Sequence, residues 1–321
     1  MGRAQLWAFG TLHAHLSPLL TDRDVQDSVL ESWKAGRQDV FPLKRGGGQG
    51  ELETGQVELE TGCSLLTSRR RGAGEEQGLG WLDMMAATQQ VVILAGGLGT
   101  RLKDVVPDKP KCMAPVGGRP FLEYGLCFLR RQGLTEVILA VGYRADRVLE
   151  YFGDGSRFGV RLAYSIEPTP LGTAGALKLA DRLLSGDRVI VMNGDSIADV
   201  PLMALLRYHT EKRALATIAL AQVPNAARYG AVSLGPDGDI VRFQEKSNEG
   251  WGVISAGIYV LERRVIADIP SHKPVSLERD VFERLAGSGL YGFEFDGFFI
   301  DIGTPEAYYK AQLEVPRRFP C

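Results

Sequence analysis

From residue 90 onward, short apolar runs alternate with amphipathic stretches. Val91–Ala95 is uninterrupted, apolar and mostly β-branched, the pattern of a strand buried on both faces of a parallel sheet. Between residues 119 and 132, apolar positions at 122, 126 and 129, with 121 and 128 beside them, predict a helix with one buried face, closed at Gly133. The alternation continues with a strand at 136–141, a helix at 145–152, a strand at 160–165, a helix at 173–184 and a strand at 188–192. That order predicts a parallel sheet with right-handed crossovers. After Pro201 a helix to Lys212 is followed by strands at 214–223, 231–234, 239–245 and 251–261, a mixed half expected to cap the parallel one. Pro236-Asp237-Gly238 is a turn, because proline presets one dihedral and glycine accepts a positive one. A helix at 276–286 and strands at 290–295 and 298–302 lead to a last helix, with Thr304 as its cap and Pro305 as its first residue.

Residues 1–84 read differently. Arg45-Gly46-Gly47-Gly48-Gln49-Gly50 is breaker-rich, Glu51-Leu52-Glu53-Thr54-Gly55 recurs at 58–62, and Arg69-Arg70-Arg71 reads as a solvated run. The segment is expected to be a disordered extension, with Met84 or Met85 as the natural start, and residues 85–321 are expected to form the folded domain. Composition narrows the class of protein. At 45% hydrophobic over 321 residues the chain can bury a large core. A net charge of -2 gives no field for nucleic acid or membrane surfaces, and no apolar run is long enough to span a bilayer. The 4 cysteines, Cys63, Cys112, Cys127 and Cys321, lack metal or disulfide spacing, so a reducing cytoplasm is expected.

Candidate chemistry gathers where strands end, which is where open α/β sheets bind ligands. The strand at 91–95 runs into Gly96-Gly97-Leu98-Gly99-Thr100-Arg101-Leu102, with Pro110-Lys111 downstream. Glycines let the backbone approach an anion, Arg101 adds a planar fork and Lys111 a point charge, although such a loop alone is equally a tight turn. Neither the P-loop nor the dinucleotide fingerprint is present: no Gly-Lys-Ser/Thr closes the loop, and Arg101 stands where the third glycine would be. Asp195 and Asp301 each sit at a predicted strand end. Singly they read as turn residues; together they suit one hard cation such as Mg²⁺. Gly172-Thr173 opens a helix whose first amides suit an anion.

The glycine loop with Thr-Arg-Leu and the later Pro-Lys resembles the sugar-1-phosphate nucleotidylyltransferases, and the likeness covers residues 90–315 with its motifs in order. The resemblance implies a Rossmann-like, mostly parallel mixed α/β sheet flanked by helices, the GT-A-like nucleotide-diphospho-sugar transferase architecture, in a single catalytic domain. It implies nucleotide contacts from Leu94, Ala95, Gly96, Gly97, Gly99, Thr100, Gly172, Thr173 and Gly194, with catalytic roles for Arg101, Lys111, Asp195 and Lys246. Asp195 and Asp301 would hold Mg²⁺. Glu167, Tyr229, Gly230, Glu245, Lys246, Ser255 and Gly257 would line the sugar-phosphate side, although Glu167 reads equally as an exposed loop acid, Glu245-Lys246 as a surface pair and Tyr229 as packing. Ser255 departs from the family's usual Asn, and Cys112 from its usual proline.

Pro170–Leu177, Ser276-Leu277-Glu278-Arg279-Asp280 and Phe299–Pro305 look most like the D-glycero-D-manno-heptose 1-phosphate guanylyltransferases, which implies GTP and that sugar phosphate as substrates. Mannose-1-phosphate guanylyltransferase, glucose-1-phosphate thymidylyltransferase, N-acetylmuramate 1-phosphate uridylyltransferase and a non-catalytic nucleotide-sugar sensor are the alternatives. Homo-oligomers are common among such relatives.

Overall fold

The computed structural model describes residues 89–97, 99, 102, 105–107, 109–226, 229–243 and 250–321. The expectations for residues 1–84, and for Thr100, Arg101, Glu245 and Lys246, lie outside them. The central sheet has seven strands in the order β12-β8-β11-β6-β1-β4-β5. They are β1 (Gln90–Leu94), β4 (Glu136–Val141), β5 (Arg161–Ile166), β6 (Arg188–Asn193), β8 (Ala216–Val223), β11 (Gly252–Glu262) and β12 (Leu290–Glu294). β6, β1, β4 and β5 pair in parallel; β11 runs antiparallel between β6 and β8, and β12 is parallel to β8. The later strands therefore do not cap the parallel half. β8, β11 and β12 extend the same sheet, with β11 alone reversed.

The sheet is sandwiched. Val91 and Ile93 of β1 face one core and Val92 faces the other, the alternation a strand imposes. The first core takes the apolar faces of α1 (Phe121–Arg131), α2 (Ala145–Phe152), α4 (Leu202–Glu211) and α7 (Pro305–Arg318). The second takes α3 (Gly172–Ala180), α5 (Arg263–Ala267) and a π-helical turn at Leu277–Phe282 that leads into α6 (Glu283–Leu285). Each fully buried Leu, Ile or Phe in these layers contributes about 1.5–3 kcal/mol.

Three elements depart from the sequence reading. α1 starts at Phe121, because Arg119–Pro120 form strand β3, paired with β2 (Pro115–Val116). α3 ends at Ala180 and tightens into a 3-10 turn over Asp181–Leu183. The strand expected at 298–302 is β13 (Phe299–Asp301), paired not with the main sheet but with β7 (Ser196–Ala198). β9 (Val232–Leu234) and β10 (Ile240–Phe243) likewise form their own ladder.

The cysteines need a correction. Cys127 on α1 and Cys321 form a disulfide across 194 residues of sequence, with Cα atoms 5.3 Å apart. Phe319 packs edge-on against Phe128 beside it, at 5.7 Å between ring centroids. No spacing rule reveals a pair so far apart. Closing so long a loop contributes about 5 kcal/mol at most through unfolded-chain entropy. Cys321→Ser is expected to lower the thermal midpoint under oxidising conditions, and to erase the difference that a reductant makes to the parent chain. Identical melting of parent and variant without reductant would contradict the bond.

Candidate active site

The carboxyl end of β1 is stitched to both neighbours: the Gly194 N–H after β6 donates to the Leu94 carbonyl at 2.8 Å, and the Ala95 N–H donates to the Ala140 carbonyl of β4 at 2.7 Å. Gly194 allows the approach, since a Cβ there would lie 2.9 Å from the Leu94 oxygen. The glycine loop starts at this edge and turns at Gly99, whose φ is +59°, a value that favours glycine. A Cβ on Gly99 would meet the Lys111 Cβ at 3.2 Å. The turn therefore rests directly on the 3-10 turn Lys111–Met113. Leu102, almost fully buried, anchors the loop after the turn, and its N–H donates to the Gly99 carbonyl at 3.0 Å.

Lys111 brings the two aspartates together. Its Nζ lies 2.5 Å from Asp195 Oδ2 and 3.4 Å from Asp301 Oδ1, with the lysine side chain only 13% exposed. The ladder of β7 and β13 explains how acids so far apart in sequence meet. Asp301 pairs with Ser196, and the Ile302 N–H donates to the Asp195 carbonyl at 3.0 Å. Gly303 follows; a Cβ there would crowd the Asp301 carboxylate at 2.9 Å and Lys111 Nζ at 3.2 Å. α7 secures the other side. Thr304 caps it, and Tyr308 and Gln312 donate to the Pro115 carbonyl just beyond Lys111.

Two carboxylates converging on one ammonium make a place where positive charge is stabilised. Among the described residues no cluster of three or more His, Cys, Asp or Glu side chains forms a metal centre. The two carboxylates that share Lys111 Nζ are donors of the kind that would suit a Mg²⁺ ion, which takes a few carboxylates from a protein and its other ligands from phosphate and water. Cys112 beside Lys111 is buried, and burial followed by the Asp195 charge pushes its thiol up to about 12, so it stays a neutral packing group.

The remaining candidates fall into two groups. Glu167 lies beneath the loop: its carboxylate accepts the Leu171 N–H at 3.0 Å and fills the space where a Gly96 Cβ would sit. Burial raises its pKa, against the opposing effect of the Leu171 N–H. At the start of α3, Gly172 (φ +70°) presses on the Val275 carbonyl, which accepts from the Ala174 and Gly175 amides. The Thr173 hydroxyl accepts the Leu277 N–H at 2.8 Å and reaches Glu278 at 3.3 Å. This helix N-terminus thus ties α3 to the π-helical turn.

Around β11 lies a second polar knot. Its register shifts between Ser255 and Tyr259, and the Ser255 Oγ accepts the Gly257 N–H at 3.2 Å. Gly257 has φ +73°, and a Cβ there would collide with Ser196 Oγ at 2.7 Å and the Asn193 amide at 2.8 Å. The buried Tyr259 hydroxyl donates to Glu278 at 3.1 Å and is hydrogen-bonded by the Asn193 side chain; burial holds the phenol far above its ordinary pKa. Asn193 Oδ1 is buried without a partner among the described residues. Tyr229 meets Phe299 of β13 edge-on at 5.7 Å, and Gly230 beside it has φ +85°. Sequence reasoning gave Asn193, Tyr259 and Gly303 no role of their own, although each lies within two residues of one it singled out.

The matching family model, Nucleotidyl transferase, spans residues 90–318, nearly the whole range of the described residues. The chain belongs to the nucleotidyl transferase family. It is 38% identical over 227 residues to D-glycero-alpha-D-manno-heptose 1-phosphate guanylyltransferase of Aneurinibacillus thermoaerophilus, covering 70% of this chain and 98% of that protein. It is 37% identical over 237 residues to mannose-1-phosphate guanylyltransferase of Mycobacterium tuberculosis, covering 72% of this chain and 66% of that one. Among solved structures, HddC from Yersinia pseudotuberculosis complexed with GMP-PN aligns with a TM-score of 0.63 at 34% identity, over 70% of this chain and 98% of that one. The nucleotidyl transferase fold and activity expected from the sequence therefore hold.

Proposed function

We propose that this nucleotidyl transferase joins GTP to D-glycero-α-D-manno-heptose 1-phosphate, giving the GDP-sugar and pyrophosphate. The family supports the reaction class, and the names of the similar guanylyltransferases support the substrates. The observation that carries the chemistry is the Lys111 ammonium held between Asp195 and Asp301 against the glycine turn.

The attacking group is already an anionic phosphate oxygen, so no general base is needed. Positioning and charge neutralisation at the α-phosphorus do the work. The amides of Gly96, Gly97 and Gly99 would face the triphosphate, with Thr100 and Arg101 extending the loop. Lys111 would bridge the α-phosphate and the incoming sugar phosphate, and Lys246 with Glu245 would fix that phosphate from the other side. Mg²⁺ bound by Asp195 and Asp301 would offset phosphate charge. Tyr229, Gly230, Ser255 and Gly257 would shape the sugar side, while Glu167, Gly172 and Thr173 shape the nucleotide side.

The expectation of a reducing cytoplasm rested on the cysteines. The Cys127–Cys321 disulfide withdraws the cysteine argument for that compartment. Among the described residues no helix is long and apolar enough to cross a membrane. Pyrophosphate release across a grid of nucleoside triphosphates and sugar 1-phosphates tests the substrates. GTP with the heptose phosphate should give the highest kcat/KM. A higher value for UTP or dTTP with another sugar would overturn the substrate choice, and no release with any pair would overturn the enzyme reading.

A further inference from the structure

A cavity of about 740 Å³ is lined by residues of the 107–120 segment, of α2 and by Arg157, and its described lining includes neither Lys111, Asp195, Asp301 nor Gly96, Gly97 or Gly99. Among the described residues its wall carries five cations, Lys109, Arg119, Arg144, Arg147 and Arg157, against one carboxylate, Glu150. Arg119 is committed to the buried Glu123 at 2.7 Å, whereas Arg147 meets only the exposed Glu150 at 3.4 Å and Asp146 at 3.8 Å, pairs that water screens and a phosphate can replace. Arg157 is held by rings rather than by acids, stacked 4.9 Å over Tyr151 and 4.7 Å over Phe158, which fixes its position and leaves its charge. Its guanidinium also donates to the Tyr151 carbonyl at 2.9 Å.

Arg144 is the most telling residue. It sits at φ +53°, ψ +40°, a left-handed conformation that costs a non-glycine residue energy, at the N-cap of α2. Glycine would relieve that strain, yet the position holds a cation that lines the cavity. The start of α2 opens on the same space and adds the positive end of its dipole. Pro107, Pro110, Pro115 and Met113 add apolar surface to the lining, and Tyr151 adds a ring. The volume lies within the range of small-molecule sites.

We propose that this cavity is a second ligand site, which binds a small phosphorylated metabolite through a diphosphate group on Arg144, Arg147 and Arg157, with its ring or sugar against the proline wall. Planar guanidinium forks match phosphate oxygens in pairs, and several together discriminate a diphosphate from a lone carboxylate. The Lys109–Pro115 wall is shared with the proposed active site, since Met113 N–H donates to the Pro110 carbonyl at 2.8 Å around Lys111. A ligand in the cavity therefore touches the segment that presents the lysine.

The test is calorimetric titration of the full chain with GDP and, separately, with inorganic pyrophosphate, without divalent metal. Two sites per chain are expected with either probe if the diphosphate alone is recognised, and two only with GDP if the ring is required as well. The paired change Arg144→Gly and Arg147→Ala should weaken one of the two sites at least tenfold. Gly suits the left-handed position and Arg147 is exposed, so the fold should survive, which an unchanged melting temperature verifies. Basal turnover should also be unchanged. A single site in the parent chain, two sites both insensitive to the paired change, or a large fall in turnover would overturn the proposal, the last by assigning these arginines to the substrate site. The binding readout does not depend on the identity of the sugar, so its failure is separable from failure of the proposed reaction.

Discussion

Lys111→Ala is expected to lower kcat/KM for pyrophosphate release by about two to three orders of magnitude, the usual cost of removing one charge-stabilising donor from a pre-organised site. The lysine is nearly enclosed, so its ammonium acts where water screens little. Its place is fixed from several directions: Asp195 and Asp301 hold the charge, Gly99 packs on its Cβ, and α7 clamps Pro115 a few residues on. Alanine keeps the backbone and deletes only the charge. The loss should appear mainly in kcat, because the bridging contact strengthens as the sugar phosphate approaches the α-phosphorus. Steady-state assays on variant protein with a native circular dichroism spectrum give the comparison, and parent-like kcat/KM would remove Lys111 from the mechanism.

Asp195→Asn together with Asp301→Asn should have the larger effect. Both side chains keep their shape and lose their charge, so the β7–β13 ladder has no reason to change. The site then offers no carboxylate to a divalent cation, and Lys111 loses both of its anionic partners. Turnover should fall to background and cease to depend on Mg²⁺ concentration. Each single variant should keep a residual response to Mg²⁺ through the acid that remains, so the losses will not add. Full activity in the double variant at ordinary Mg²⁺ levels would refute the shared site.

Much of the architecture could be read from periodicity. Val91–Ala95, 136–141 and 188–192 read as strands because each is apolar on both faces, and Thr304-Pro305 marked the start of α7 correctly because cap and first-turn chemistry are local. The position of β11 was not legible. Its reversed insertion between β6 and β8 depends on pairing between distant segments, which a window of neighbouring residues does not encode. β13 was found as a strand, but its partner β7 is only three residues long and gave no signal of its own.

The candidate site divides along the same line. Asp195 and Asp301 stood out as acids at predicted strand ends and Lys111 as the Pro-Lys cation downstream of the glycine loop, and the fold brings them within reach of one another. Gly172 and Thr173 stood out for the helix N-terminus they open, yet some of its amides and the Thr173 hydroxyl are engaged by Val275, Leu277 and Glu278. A sequence shows that such donors exist and not which carbonyl folds onto them. The Asn193–Tyr259–Glu278 contacts were hidden for a similar reason: three elements supply them, and each residue alone resembles ordinary core or surface.

The β7–β13 ladder also bears on how the protein is made. A ribosome has already released Lys111 and Asp195 when β13 is still to be synthesised, and β11, the neighbour that fills the sheet beside β6, also emerges late. A nascent chain halted before Phe299 therefore carries the lysine and one acid but lacks the second. Activity should switch on only once β13 and α7 have docked, so the order of synthesis itself holds the site incomplete until then.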